Sequence, residues 1–209
     1  MSYKTVCVVG LGYIGLPTAA MFASKQIQVI GVDINKQTID TINAGKIHIV
    51  EPELDLMVKE AVEKRFLKAT FSPQSADAFL IAVPTPLLSA GSENPNPQPD
   101  LTYIKSAANS IAKVLKKGDL VILESTSPIG TTEMMADWMS NVRPDLSFPK
   151  THGETSDIRV AYCPERVLPG HVVRELVDND RVVGGITEVC TTAAIELYKL
   201  FVEGECVVT

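Results

Sequence analysis

The sequence predicts an α/β domain of Rossmann-like, doubly wound design, a mainly parallel sheet with helices on both faces. Three observations carry that expectation. Apolar runs rich in Val, Ile and Leu alternate with amphipathic stretches along the whole chain, the pattern of βαβ units. Runs such as Thr5–Val9, Phe79–Val83 (FLIAV) and Leu120–Leu123 (LVIL) are apolar almost throughout, as strands covered on both faces are. A glycine-rich turn, Gly10-Leu11-Gly12-Tyr13-Ile14-Gly15, joins the first such run to the first helical pattern.

Taken in order, Thr5–Val9 reads as a strand, Ile14–Ser24 as a helix and Val29–Val32 as a second strand. Asn35–Ala44 has helical spacing and stops at Gly45, a fitting C-cap. Glu53–Glu63 is a further helix behind Pro52. Strand Phe79–Val83 follows, then helix Leu101–Leu115 with Asp100 as its candidate N-cap, then strand Leu120–Leu123. Thr131–Asn141 is helical, Ile158–Tyr162 and Arg181–Val183 are strands, Thr191–Phe201 is a helix, and Cys206–Thr209 is strand-like. Two segments break the rhythm. Pro84–Pro99 is long for a connection inside a domain and holds prolines 84, 86, 95, 97 and 99; such loops are commonly functional. Arg143–Asp157 is polar and aperiodic, and reads as a surface insertion.

Composition removes several classes of function. The 209 residues are 45% hydrophobic and 21% charged, as in ordinary globular proteins. A chain of this length buries enough surface to build its own core. The formal net charge is −6 and no Lys/Arg run exceeds two residues. Nucleic-acid binding, which needs a basic face to displace counterions, is not expected. No stretch approaches the roughly 18 unbroken apolar residues of a membrane span. Glycines and a proline interrupt Val6–Ala20, which argues against a secretory signal. Cys7, Cys163, Cys190 and Cys206 are widely spaced, and so are His48, His152 and His171. No metal site is expected, and the cysteines read as reduced thiols of a cytoplasmic protein.

The glycine turn gains meaning from its context: a strand before it, a helix after it, a second strand, and Asp33 at that strand's end, 18 residues beyond Gly15. Gly10 permits the tight turn, Gly12 allows a pyrophosphate to approach the backbone, and Gly15 allows helix and strand to pack closely. The helix N-terminus offers N–H groups and partial positive charge to phosphate. Asp33 is suited to the ribose hydroxyls of NAD, whereas the 2′-phosphate of NADP would meet a like charge. Lys36 softens that contact, but Ile34 and Asn35 supply no arginine. NAD is therefore the expected cofactor, with flavin the minor alternative that shares the fingerprint.

In a doubly wound sheet, the loops that follow the strands line the ligand crevice. This places Thr85, within Pro84-Thr85-Pro86, and Ser125 and Thr126, within Glu124-Ser125-Thr126-Ser127-Pro128, near cofactor or substrate. The alternative for these hydroxyls is capping of helix Thr131–Asn141. A third strand-end motif, Cys163-Pro164-Glu165-Arg166-Val167-Leu168-Pro169-Gly170, offers Glu165 as a proton acceptor. Cys163 lacks a neighbouring histidine to activate it and reads as a packed thiol. The candidate cofactor contacts are Gly10, Gly12, Tyr13, Ile14, Gly15, Asp33, Thr85, Ser125 and Thr126.

These motifs, in this order, resemble those of the UDP-glucose/GDP-mannose dehydrogenase family. The shared residues run Gly10 to Pro17, Asp33, Val83-Pro84-Thr85-Pro86, Ser125 to Gly130, and Pro164-Glu165. The fuller wording, Gly31-Val32-Asp33-Ile34-Asn35, His48-Ile49-Val50-Glu51-Pro52 and Tyr162 to Gly170, is most similar to the branch that oxidises UDP-N-acetylmannosamine. The resemblance implies four-electron oxidation of a UDP-sugar primary alcohol to a carboxylate, UDP-N-acetylmannosaminuronate, by two NAD in succession, for surface polysaccharide synthesis. It implies an acid/base role for Glu165, a place beside it for Thr126, and substrate contacts from Arg166 and Val167. Arg166 stands where the family commonly has phenylalanine, and Pro169 where many members have a second glutamate. The family's nucleophilic cysteine follows a histidine, as none here does, and its catalytic lysine and asparagine lie on a later helix. The chain is thus expected to be the N-terminal NAD-binding domain of a longer, homodimeric enzyme, binding NAD without turnover by itself. Two other readings stand beside it: a stand-alone NAD-binding module without catalysis, and the cofactor domain of another hydroxy-acid or hydroxyacyl dehydrogenase.

Overall fold

Six parallel strands and two added at one edge make a single sheet in the computed structural model, which describes residues 3–88 and 97–209. The strands are β1 (Thr5–Val9), β2 (Gln28–Val32), β3 (Leu67–Thr70), β4 (Ala78–Ile81), β5 (Leu120–Leu123), β6 (Arg159–Tyr162), β7 (Arg181–Gly185) and β8 (Cys206–Val208). Their spatial order is β3-β2-β1-β4-β5-β6-β7-β8. Strands β1 to β6 run parallel, β7 is antiparallel to β6, and β8 is parallel to β7. The helices are α1 (Gly15–Ser24), α2 (Lys36–Asn43), α3 (Leu54–Glu63), α4 (Thr102–Ala112), α5 (Thr131–Val142), α6 (Pro149–His152), α7 (Val172–Asp178) and α8 (Glu188–Tyr198).

The period of two along each strand divides the core into two layers. Val6, Val8, Leu80, Leu120 and Ile122 pack with α1, α3, α7 and α8 on one face. Cys7, Val9, Phe79, Ile81, Val121 and Leu123 pack with α4 and α5 on the other. Both faces of the central strands are covered, which explains why their sequences show no polar alternation. Phe22 anchors the first layer, edge-on to Phe201 at 4.9 Å between ring centres.

Register places the functional edge. Val32, Val9, Ile81, Leu123 and Tyr162 are paired across neighbouring strands. The next residue of each chain segment therefore falls on one row at the carboxyl edge: Asp33, Gly10, Ala82, Glu124 and Cys163. Backbone hydrogen bonds extend the ladder by that one step, from Gly10 N to Val32 O (2.8 Å), Ala82 N to Val9 O (2.8 Å), Glu124 N to Ile81 O (2.9 Å) and Cys163 N to Leu123 O (3.0 Å). The sheet order reverses between β1 and β4, so the crevice opens where the Gly10 turn meets the Ala82 loop.

Most expected elements appear with ends shifted by a residue or two. Asn35 caps α2, its Oδ1 accepting from Gln37 N at 2.9 Å, and Gly45 ends that helix with N–H bonds from Gly45 to Ile42 O and from Lys46 to Thr41 O. Asp100 is not the N-cap of α4, a position Leu101 takes, but stands one residue before it and accepts from Thr102 N at 2.9 Å. Helix α8 begins three residues earlier than expected because Thr187 caps it, accepting from Cys190 N. Its end also comes earlier, at Tyr198 rather than Phe201. Three elements had no clear signal. Strand β3 is four residues with an exposed Lys68, and α6 and α7 are short helices, α6 starting on Pro149 and α7 just behind Pro169-Gly170.

The Arg143–Asp157 segment is not a loose insertion. Leu146 and Phe148 are buried in the second layer. The Arg143 guanidinium donates to the carbonyls of Ala112 and Leu115, satisfying the end of α4. In the proline-rich connection, Leu88 N bonds Gln98 O and Asp100 N bonds Pro86 O, both at 2.7 Å, so its two limbs run side by side. Pro95 lies outside the described residues. No helix of the described residues is long and apolar enough to cross a membrane.

Replacing Phe22 by alanine should lower the unfolding free energy by about 3–5 kcal/mol, the usual cost of deleting a fully buried ring. Denaturant unfolding measures this, and a loss below about 1 kcal/mol would show that the Phe22–Phe201 layer is not a stabilising core.

Candidate functional site

The glycine turn is set by close contacts. Gly10 has φ +95°, and a Cβ there would lie 2.5 Å from the Ala82 carbonyl oxygen, so the loops after β1 and β4 touch at the crevice floor. A Cβ on Gly15 would lie 1.8 Å from the Gly10 carbonyl oxygen, which only glycine avoids. Gly12 differs, since a Cβ there would meet nothing within 4 Å. Its backbone faces open space, as approach by a pyrophosphate requires. Among the described residues no hydrogen bond takes the N–H groups of Tyr13 or Ile14, at the entry to α1. Tyr13 is half exposed and Ile14 half buried.

Asp33 ties this turn to β2. Its Oδ2 accepts from Leu11 N at 3.0 Å and its Oδ1 from Asn35 N at 2.8 Å. Two backbone amides thus fix the carboxylate, leaving its remaining lone pairs for ribose hydroxyls. Lys36 pairs with Asp40 one turn along α2 and is not directed to Asp33. An open Gly12 backbone, unpaired helix-entry amides and a fixed acid at the end of β2 fit an NAD dinucleotide.

The other expected residues are distributed as follows. Thr85 is half buried and Thr126 exposed. Ser125 is buried and donates to Val83 O at 2.7 Å, stitching the ends of β4 and β5 together. These hydroxyls do not cap α5, whose N-cap is Gly130 without a side-chain bond. Arg166 is exposed and reaches the Asp180 carbonyl at 3.1 Å, while Val167 packs against the first core layer.

Glu165 sits in a setting the sequence did not disclose. Its side chain is 5% exposed and forms an ion pair with Arg181 of β7, which is 2% exposed. Glu165 Oε1 also accepts from Arg166 N at 2.8 Å. Behind the pair lies Glu124, its Oε1 accepting from the Tyr198 hydroxyl at 2.7 Å. Burial, then the nearby Glu165 charge, push the Glu124 carboxyl up to about 7, against the pull of Arg181 and the Tyr198 hydroxyl. Arg181 also lies over the rings of Tyr198 and Phe201, at 5.0 and 5.9 Å. Cys163 is fully buried and its thiol is pushed up to about 12 by burial, the state of a packed thiol.

A second buried acid holds the loop's far end. Glu51 accepts from Gly170 N at 2.8 Å and from Val172 N at 2.6 Å, capping the start of α7. Arg181, Glu124, Tyr198 and Glu51 all escaped the reading of the sequence. Glu124 had one signal, a carboxylate directly behind an all-apolar strand; the others meet partners remote in the chain. Among the described residues no three His, Cys, Asp or Glu side chains gather as a metal site would need.

The sheet order and the glycine turn define a dinucleotide-binding domain of the dehydrogenase type. Residues 4–202 match the family model described as "UDP-glucose/GDP-mannose dehydrogenase family, NAD binding domain". The chain is 63% identical over 209 residues to NDP-N-acetyl-D-galactosaminuronic acid dehydrogenase of Ralstonia nicotianae, covering 100% of this chain and 48% of that protein. The same values hold for UDP-N-acetyl-D-mannosamine dehydrogenase of Escherichia coli, again 63% over 209 residues, with 100% and 48% covered. A solved UDP-D-ManNAc dehydrogenase of Pyrococcus horikoshii superposes with a TM-score of 0.88 at 42% identity, over 98% of this chain and 46% of that one. The chain belongs to the UDP-glucose/GDP-mannose dehydrogenase family and carries its NAD-binding domain. It spans about half the length of the curated relatives it matches.

Two glycines separate folding from binding. Gly12→Ala should leave the melting temperature within about 2 °C and weaken NAD by about tenfold or more. Gly15→Ala should fail to fold stably, since its Cβ meets backbone. Thermal melts and NAD titration check both, and equal behaviour of the two variants would contradict the turn geometry.

Proposed function

We propose that this chain is the cofactor-binding part of an NAD-dependent nucleotide-sugar 6-dehydrogenase acting on UDP-N-acetyl-D-mannosamine. The observation that carries the reading is the common row at the sheet's carboxyl edge. The Asp33-held glycine turn and the segments carrying Thr85, Ser125-Thr126 and Glu165 all leave the sheet at that edge, which supports their lining one crevice. The relatives' names support the substrate class, and UDP-N-acetyl-D-mannosamine dehydrogenases recur among them.

Overall, R–CH₂OH with two NAD⁺ and one water yields R–COO⁻, two NADH and three protons. NAD, when bound, supplies the two-electron acceptor for each step. The backbone of Gly12, Tyr13 and Ile14 holds the pyrophosphate, and Asp33 accepts from the adenosine ribose hydroxyls. Thr85, Ser125 and Thr126 border the nicotinamide half. Glu165 manages the protons of the reacting C6 oxygen and of the hydrolytic water, with Thr126 beside it. Arg166 and Val167 contact the sugar nucleotide. None of the chain's own cysteines suits the nucleophile's part: Cys7, Cys163 and Cys190 are buried, and burial raises the Cys206 thiol. The 209 residues alone therefore bind NAD without turnover, and the whole enzyme is a homodimer. Its product is a uronate for surface polysaccharide, and its free thiols suit the cytoplasm.

Calorimetric titration should show NAD bound at least about tenfold more tightly than NADP, the cost of setting a 2′-phosphate against Asp33. Equal affinities would remove the Asp33 argument. In the intact enzyme, two NADH should form per UDP-N-acetylmannosamine consumed. A ratio of one, or faster turnover of UDP-N-acetylgalactosamine, would overturn the four-electron reaction or the sugar assignment respectively.

A further inference from the structure

The buried cluster behind Glu165 holds two carboxylates, Glu124 and Glu165, and one guanidinium, Arg181. With both acids ionised, the cluster carries an uncompensated negative charge in a dry pocket, an expensive state. It also holds two complementary buried atoms that find no partner among the described residues: the acceptor Glu124 Oε2 and the donor Arg181 Nε. An orphaned acceptor and an orphaned donor in one cluster define a second way of pairing.

We propose that Glu124 is a positioning residue whose proton decides whether Arg181 serves Glu165 alone or is shared between the two carboxylates. With Glu124 neutral, Glu165 is the one carboxylate Arg181 pairs with, the pairing seen in the structure, while its Nη2 donates to the Leu176 carbonyl at 3.3 Å. With Glu124 ionised, the Nε edge of the guanidinium is drawn to Oε2, and Glu165 is released from its full ion pair toward the crevice. Four groups face Glu124: Glu165 from the loop after β6, Arg181 from β7, Tyr198 from α8 and Cys163 from the end of β6. Burial raises the Tyr198 hydroxyl and the Cys163 thiol far enough to leave both neutral near pH 7. The exchange therefore involves two acids and one guanidinium only. Glu124 directly precedes Ser125 and Thr126, and Glu165 N approaches Glu124 O at 3.4 Å, so the cluster is continuous with the edge lining the crevice.

The sign of the coupling follows from linkage. The folded protein keeps a proton on Glu124 up to about pH 7, whereas the unfolded chain releases it near the ordinary glutamate value of 4.5. Stability attributable to this group is fully present below the lower value, falls as pH rises through the window, and levels off above it.

The test uses the intact protein with Glu124→Gln and Tyr198→Phe. Denaturant unfolding from pH 4 to 8.5 should show the fall in the wild type, its loss in Glu124→Gln, and its midpoint moved up by about one unit in Tyr198→Phe, which removes the hydrogen bond favouring the carboxylate. The ¹⁵N resonance of Arg181 Nε should shift across neutral pH in the wild type and stay fixed in Glu124→Gln. Persistence of the wild-type fall in Glu124→Gln, or a pH-independent Arg181 signal in the wild type, would overturn the proposal. Both readouts stand whether or not the protein is a dehydrogenase. A third rests on that reading: the neutral limb of the kcat/KM profile should vanish in Glu124→Gln while KM for NAD stays within about twofold. An unchanged profile beside a lost stability fall would mean that Glu124 titrates without acting on Glu165, and would overturn its positioning role. A wild type without nucleotide-sugar oxidation would instead count against the dehydrogenase, leaving the first two readouts to judge the cluster.

Discussion

A single methyl group on residue 15 would lie 1.8 Å from the Gly10 carbonyl oxygen, and the crevice depends on its absence. Because α1 starts against the turn itself, its free N–H groups are delivered to the end of β1 and not beside it. The same turn touches Ala82 at the point where the strand order reverses, so helix entry, sheet and crevice floor share one set of contacts. Asp33 completes the arrangement from β2, spending one oxygen on the Leu11 amide before any ligand arrives. A carboxylate already held by backbone amides loses little freedom on meeting a ribose, which is how preorganisation favours binding.

At the other end of the crevice, the constraint is electrostatic. Arg181 reaches the edge from a strand antiparallel to its neighbour β6, so it enters the cluster from a direction no parallel strand end offers. Its guanidinium lies over two aromatic rings and against a buried carboxylate. Such a group contributes little net stability, because desolvating the charges offsets their attraction. It does hold a loop between two buried anchors, Arg181 on Glu165 and Glu51 on the amides of Gly170 and Val172. The loop from Cys163 to Gly170 is thereby mounted on the sheet.

Legibility differed between the two ends for a physical reason. The dinucleotide end is local: Gly10, Gly12 and Gly15 lie in one turn, and Asp33 ends the next strand. The apolar runs of β1, β4 and β5 were equally plain, since burial on both faces leaves no polar residue to confuse the period. Strand β3 was not, because four residues with an exposed lysine resemble a loop. The Arg143–Asp157 segment looked like an insertion because Arg143 bonds the carbonyls of Ala112 and Leu115, at and just beyond the end of α4 and earlier in the chain.

The alternation of buried strands and helices, the glycine turn and its acid, and the order of the strand-end motifs are all readable from the amino-acid order alone. All of these rest on residues close together in the chain, where steric demands and periodicity act directly. It is the assembled sheet that bonds Ser125 to backbone, pairs Glu165 with Arg181, and buries Glu124 against Tyr198 with one oxygen unmet among the described residues. Those pairings join residues up to 74 positions apart. Their chemistry comes from desolvation and from charges on neighbouring strands, quantities that exist only once the sheet has assembled.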